Sequence, residues 1–313
     1  MKIAFATHAA RTYPQPRWGG MPTGAEQDAL FDWVAEQGFE GLDIGDSWMD
    51  LDGLDHDGAQ HMRARARDRG LVICGLNLLR KALCSPVHGA ASRRSIEHAL
   101  DVAGWLDCPI VSISLSHPTD QPGASAVTGT THSPGGSLAA THQDYDITAT
   151  ELRDLARAAA ARGLSLSLEL HHCSVADTST GVLRLLHAVN EGNIGANPDL
   201  INGYWAYAEP PENWRAAITA LAPCTNLWHV KNAQRVYVPE SRRAVFLERT
   251  LGHGDVDYRW CIGIMRNAGF DGWISIENCG STDPFSITAE GRRYLEQVQA
   301  DPITIRLTPP HGG

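Results

Sequence analysis

The sequence predicts an α/β fold, a (β/α)₈ barrel in which residues 1–313 form one domain. Three observations carry that expectation. Amphipathic runs end at glycine and are followed at once by a short run, at Gly38-Phe39, Gly70-Leu71, Gly163-Leu164, Gly192-Asn193 and Gly269-Phe270. Glycine just past a helix supplies the left-handed conformation that stops it. Eight such apolar runs share 313 residues, about 39 per unit, which suits a closed barrel better than an open doubly wound sheet. No G-x-G-x-x-G follows the first run, so the dinucleotide-binding alternative lacks its fingerprint.

In chain order the expected strands are Ile3–Ala6, Phe39–Ile44, Leu71–Leu76, Ile110–Leu115, Leu164–Leu170, Asn193–Asn197, Leu227–Val230 and Trp273–Ile276. Thr23-Gly-Ala-Glu26 and Thr148-Ala-Thr-Glu151 have capping-box spacing and mark helix starts. Apolar residues at helical spacing fill the intervals. They are Ile96, Leu100 and Ala103 before the fourth strand, and Leu152, Leu155 and Ala159 before the fifth. Trp214, Ile218 and Leu221 precede the seventh, and Trp260 and Ile264 the eighth. Strands alternating with helices pair in parallel through right-handed crossovers. Two long stretches break the rhythm: 117–147, rich in Gly, Ser, Thr and Pro, after the fourth strand, and 232–257 after the seventh. Both are expected as active-site loops at the C-terminal mouth of the barrel.

Composition removes several function classes. With 26 Lys+Arg against 36 Asp+Glu and a net charge of −10, the chain lacks the basic footprint of a nucleic-acid binder. No run approaches the length of a membrane span, and the first residues turn polar too soon for a signal peptide. Seven cysteines, an odd number with no C-x-x-C pair, fit reduced thiols in a cytoplasm. The 14 histidines leave metal chemistry open.

The polar residues that matter lie where the late strands end. Alternation puts Ser165, Ser167, Glu169 and His171 on one face of the fifth strand and four leucines on the other. The leucines must pack on helices, so Glu169 and His171 point into the barrel mouth. By the same alternation Asn197 pairs with Asp199, His229 with Lys231, and Ser275 with Glu277. Four successive strands therefore each end in an inward carboxylate or imidazole: Glu169, Asp199, His229 and Glu277. Three carboxylates and one imidazole cannot neutralise one another, and ionised groups at such a place need a partner. A divalent cation supplies it. Three oxygens and one nitrogen suit Mn²⁺ first, with Mg²⁺, Co²⁺ or Zn²⁺ as alternatives, and no organic cofactor is called for. The absence of thiolates from the set speaks against a structural zinc site.

At these residues the sequence resembles the xylose-isomerase-like barrels, a family that includes ketose 3-epimerases, hydroxypyruvate isomerases, inosose dehydratases and endonuclease IV. His229-Val-Lys-Asn resembles the family's strand-seven motif, and Leu251-Gly-His-Gly-Asp-Val-Asp the turn before its last helix. Gly-Phe-Asp-Gly-Trp-Ile-Ser-Ile-Glu277 resembles its final strand. The resemblance implies Glu169, Asp199, His229 and Glu277 as metal ligands, with Glu169 and Glu277 also moving protons. Two departures stand out. Ketose 3-epimerases carry His where this chain has Asn202, and Glu where it has Val175. Their substrate-binding arginine has a counterpart in Arg235.

A cation with open positions can chelate a carbonyl and its neighbouring hydroxyl and stabilise the enediolate formed on deprotonation. The sequence thus points to an isomerase or epimerase of a keto-sugar or polyol-type carbohydrate. A lyase on the same site is the alternative, by dehydration or by β-elimination from a 3-keto-glycoside, and C-glycoside-cleaving relatives of that kind work with a small second subunit. The remaining reading is a non-catalytic barrel that binds a polyol or a partner. His171, two residues past Glu169, is a candidate acid or base. Lys231, Arg235, Asn202 and His142 are candidates for substrate contact. His132 is a second histidine of the long loop, while Tyr204, Trp205 and Tyr207 can stack on a sugar or cover a subunit interface. No glycine loop or basic nest marks a phosphate site.

Overall fold

The computed structural model describes residues 1–10, 22–117, 136–205, 210–240, 243–278 and 283–301. All eight expected strands form: β1 (Lys2–Ala6), β2 (Gly41–Gly45), β3 (Val72–Lys81), β4 (Ile110–Leu115), β5 (Ser165–Glu169), β6 (Ile194–Asn197), β7 (Trp228–Val230) and, last in sequence, β10 (Trp273–Ile276). They make one eight-stranded sheet in the order β6-β5-β4-β3-β2-β1-β10-β7, parallel throughout. Because β1 pairs with β10, the sheet curls back on itself into a nearly closed barrel.

The closing join differs from the others. Between β6 and β7 there is one isolated bridge, Ala196 with Thr225, and the Asn226 amide donates to the Ala196 carbonyl at 3.1 Å. Side chains complete the seam. Asn197 Oδ1 accepts from the His229 backbone amide at 2.7 Å while its Nδ2 donates to Ser112 Oγ at 3.0 Å. Asn226 Nδ2 donates to the Leu166 carbonyl at 2.8 Å and its Oδ1 accepts from Ser167 Oγ at 2.6 Å.

The glycine punctuation works as expected at Gly38, Gly70, Gly163 and Gly269, with φ of 79°, 73°, 72° and 84°. Gly192 is a correction: the helix Ser179–Val189 is ended earlier by Asn190, left-handed at φ 51°, an angle asparagine tolerates better than most residues. The Thr23–Glu26 capping box forms, but the one at Thr148–Glu151 does not. That helix begins at His142, capped reciprocally by Thr141 and Asp144, and Thr148 sits inside it with its hydroxyl on the Asp144 carbonyl. The loop expected over 117–147 is shortened accordingly, with a brief helix at Gly136–Ala139 as well. The expected loop 232–257 is also corrected. It carries an antiparallel hairpin, β8 (Asn232–Val238) and β9 (Arg243–Arg249), in which Val236 faces Val245. Alternating β-branched residues there favour strand over coil.

The core lies between barrel and helices. Leu164, Leu166, Leu168 and Leu170 are all buried, as are Ile96, Leu100, Leu152, Leu155, Ile218 and Leu221 opposite the sheet. Each such leucine or isoleucine contributes about 2 kcal/mol on leaving water. Inside the barrel the residues are small and polar: Ser112, Ser167, Asn197 and Ser275 are wholly buried. That leaves room above them for a site.

Candidate metal centre

Glu169 is the last residue of β5, Asp199 lies two residues past β6, His229 is in the middle of β7, and Glu277 directly follows β10. One donor atom from each falls within 4.8 Å of all the others, and all four side chains are buried. His229 Nδ1 lies 3.9 Å from Glu169 Oε1 and 3.8 Å from Glu277 Oε2. The register explains the convergence. Ser275 of β10 lies level with His229, and Glu169 level with Asn197, so residues that alternate inward end at one height.

The motif residues beside the clustered side chains are held from behind. Lys231 Nζ is 2.7 Å from Asp199 Oδ2 and 2.9 Å from Glu277 Oε2. The Tyr258 hydroxyl donates to the Lys231 carbonyl at 2.6 Å and accepts its amide at 3.2 Å. Asn232 Nδ2 donates to the Leu251 and Val256 carbonyls, which fastens the turn before the helix Tyr258–Asn267. A Cβ on Gly254 would lie 2.1 Å from Asn232 Oδ1, so glycine is required where the turn crosses this side chain.

Charge is unevenly distributed over the cluster. Burial pushes Asp199 up to about 7 against the pull of Lys231. Burial likewise raises Glu169, although His229 opposes it. At Glu277 burial is outweighed by the charges of Lys231, His8 and His229, which hold it well below the usual carboxylate range. His229 is raised: burial works against its charge, but Asp43, Glu169 and Glu277 prevail.

A divalent cation fits these residues. Glu169 Oε2, Asp199 Oδ1 and His229 Nδ1 are shut off from solvent and have no hydrogen-bond partner among the described residues. Buried polar atoms left unmatched in this way call for a partner. Three of them belong to one cluster of oxygen and nitrogen donors.

The other expected site residues fall in different places. Asn202 joins the cluster, donating to Glu169 Oε1 at 2.9 Å and to the Leu170 carbonyl at 3.1 Å. His171 is buried just past β5, stacked on His172 with ring centres 4.2 Å apart, its Nδ1 3.1 Å from the His172 carbonyl. Arg235, on β8, has Nε and Nη2 shielded and without a hydrogen-bond partner among the described residues, and its guanidinium lies 5.3 Å from the Tyr237 ring centre. His142 is exposed at the first turn of its helix, its Nδ1 2.9 Å from Arg184 Nη2. His132 and Tyr207 lie outside the described residues, as do the side chains of Tyr204 and Trp205.

Three residues of the early strands escaped the sequence reading. Asp43 Oδ2 of β2 lies 2.7 Å from His229 Nε2. Asn77 of β3 donates to Glu277 Oε1 at 3.4 Å. His8, just past β1, pairs with Ser47 Oγ at 2.5 Å. Asp43 had one available signal: alternation in Gly-Leu-Asp-Ile-Gly sets a lone carboxylate opposite two apolar neighbours.

A nearly closed barrel of eight parallel strands, with a buried Glu-Asp-His-Glu cluster at its mouth that could hold a metal ion, defines a class of architecture. Residues 31–298 match the family model of the xylose isomerase-like TIM barrels, and the chain belongs to that family. Among solved structures it is similar to a xylose isomerase-like TIM barrel protein from Mycobacterium smegmatis in complex with magnesium, with 23% identity, 98% of each chain covered and a TM-score of 0.79. A probable 3-DHS dehydratase, AsbF, involved in petrobactin synthesis in Bacillus anthracis, is 18% identical, with 95% of this chain and 99% of that one covered and a TM-score of 0.70. D-allulose 3-epimerase from Methylomonas sp., in complex with D-allulose, is 15% identical, with coverage of 95% and 96% and a TM-score of 0.69. No curated protein is matched by the sequence. No described helix is long and apolar enough to cross a membrane.

Proposed function

We propose that the protein is a divalent-metal-dependent isomerase or epimerase of a keto-sugar or polyol-type carbohydrate, working through an enediolate. The observation that carries this reading is the buried cluster of Glu169, Asp199, His229 and Glu277, with unmatched acceptor atoms on three of its members. A cation held there, Mn²⁺ first and Mg²⁺, Co²⁺ or Zn²⁺ otherwise, supplies Lewis-acid polarisation of a carbonyl and its neighbouring hydroxyl. Glu169 and Glu277 are assigned the protons. One takes the proton from the carbon beside the carbonyl, and the other returns one to the opposite face or to the adjacent carbon. Lys231, whose backbone Tyr258 holds, is assigned a substrate oxygen, and the Arg235 guanidinium, with Nε and Nη2 unmatched among the described residues, is assigned another. His171, packed on His172, is the further acid or base.

A second reading has its own support. Asn202 stands where ketose 3-epimerases carry histidine, and its amide is already bound to Glu169 and Leu170. An amide cannot shuttle a proton at that position. This favours a lyase outcome, in which the enediolate expels a β-substituent, with or without a small second subunit. The structural likeness to a probable dehydratase agrees with it.

Incubating the Mn²⁺-loaded protein with free ketoses and with 3-keto C- and O-glucosides, read by mass, separates the two. Substrate mass kept in ordinary water, and raised only by incorporated deuterium in heavy water, marks the isomerase; release of water or aglycone marks the lyase. E169Q should abolish α-proton exchange; exchange that persists in that variant defeats the enolisation mechanism.

A further inference from the structure

The carboxylate of Asp43 belongs to no ligand motif, yet the chain is built around it. β2 is short and otherwise uncharged, and Asp43 is 1% exposed. The ladder between β2 and β3 is regular up to Leu42, opposite Ile73, and then shifts so that Asp43 faces Gly75 and Cys74 is skipped. A shift of this kind re-aims the side chain next to it. Cys74 turns its thiol to the Leu42 carbonyl at 3.3 Å. A Cβ on Gly75 would lie 3.0 Å from Asp43 Oδ1 and 3.3 Å from its Cγ. Glycine at that place makes room for the carboxylate. Asp43 Oδ2 meets His229 Nε2 at 2.7 Å, while Oδ1 has no hydrogen-bond partner among the described residues. A carboxylate serving only the fold would use both oxygens, because burying either one unmatched is unfavourable. The bulge, the glycine and the burial all serve one contact, and that contact is with a ligand residue.

We propose that Asp43 is the positioning residue of the metal centre: it accepts the Nε2–H of His229, so that the ring is fixed and the Nδ1 lone pair is aimed at the space shared with Glu169, Asp199 and Glu277. The inference rests on the metal reading above. Carboxylates placed behind a ligating imidazole fix its tautomer and orientation, and their loss costs about 10- to 100-fold in metal affinity.

The test is calorimetric titration of Mn²⁺ into the full-length protein after chelator treatment, at one pH, for the wild type, D43N, D43A and G75A. D43N keeps an acceptor but no charge and should bind about 10-fold more weakly; D43A keeps neither and should lose about 100-fold. G75A keeps the carboxylate and displaces it, so it too should lose about 10-fold. Circular dichroism and the metal-free melting midpoint show whether each variant is folded. A role confined to the fold predicts altered midpoints with unaltered affinity. D43N that is folded and binds Mn²⁺ within twofold of wild type overturns the proposal. Should both Asp43 variants fail to fold, G75A decides by the same criterion. A wild-type protein that takes up no Mn²⁺, Mg²⁺, Co²⁺ or Zn²⁺ overturns the metal reading itself, a failure visible before any variant is made.

Discussion

Strands β5, β6, β7 and β10 each deliver a residue whose donor atom reaches the cluster, whereas β2, β3 and β4 deliver Asp43, Asn77 and Ser112, each of which touches a clustered residue or the residue that holds one. On the proposed reading one half of the barrel supplies the ligands and the other half aims them. The ligand half has to be polar at strand ends, where the family motifs lie. The supporting half uses residues that occur inside any barrel, and only the contact across the interior gives them meaning. A site of this kind therefore depends on strands far from it in sequence: Asp43 and His229 are 186 residues apart.

The comparison can be broken most severely from the ligand side. Asp199→Asn or Glu169→Gln should reduce Mn²⁺ affinity by about a thousandfold or more, because each removes a charged donor from a four-residue set, and calorimetry measures it. Lys231→Met comes next. It leaves Asp199 and Glu277 buried without their cation, so the metal-free protein should lose about 3 kcal/mol in denaturant unfolding, and Mn²⁺ should restore more stability than it adds to the wild type. Asn197→Ala tests the supporting side. It strands the His229 amide and the Ser112 hydroxyl and should cost about 2 kcal/mol, by the same unfolding measurement.

The pH dependence is a finer test. Asp199 titrates near 7 in the folded metal-free chain because burial favours its neutral form. On the proposed reading a bound metal must displace that proton and the one His229 holds, so affinity should fall by at least about tenfold per pH unit below 7 and go on rising above it. The stability sign runs the other way. An unfolded aspartate ionises near 3.9, so between about pH 4 and 7 the folded metal-free protein holds a proton that the unfolded one does not. Its stability should therefore fall as pH rises through that window, which urea melts at several pH values would show. The smallest effect is expected at the exposed hairpin, where Val245 is 50% exposed. Val245→Ser should change stability by less than about 0.5 kcal/mol and leave metal binding unchanged.

Most of the barrel was legible in the sequence because its signals are local. Eight runs of β-formers, glycines at helix ends and a period-two pattern in β5 each need only a few neighbouring residues. The misreadings came where two local signals competed. Thr141-x-x-Asp144 and Thr148-x-x-Glu151 are both acceptable caps, and the burial of Tyr145 and Thr148 against the core favoured the earlier start. The hairpin β8–β9 was hidden by arginines and by its place after a strand, where a loop was due. At the site, strand-end alternation found the four clustered residues and Lys231. It could not find Asp43 or Asn77, whose partners lie across the barrel, and it did not foresee that Asn202 binds Glu169.

The join between β6 and β7 has a consequence for how such a protein ages in solution. Asp199 and His229 stand on opposite lips of that join, which side chains hold with little help from the backbone. On the proposed reading the cation is a clasp across the weakest part of the wall. Amides of 194–199 and 227–231 should then exchange with heavy water faster in the stripped protein than in the loaded one. The time course of inactivation in a chelator should follow the breathing of that wall, and it should be unmoved by how tightly the substrate is held.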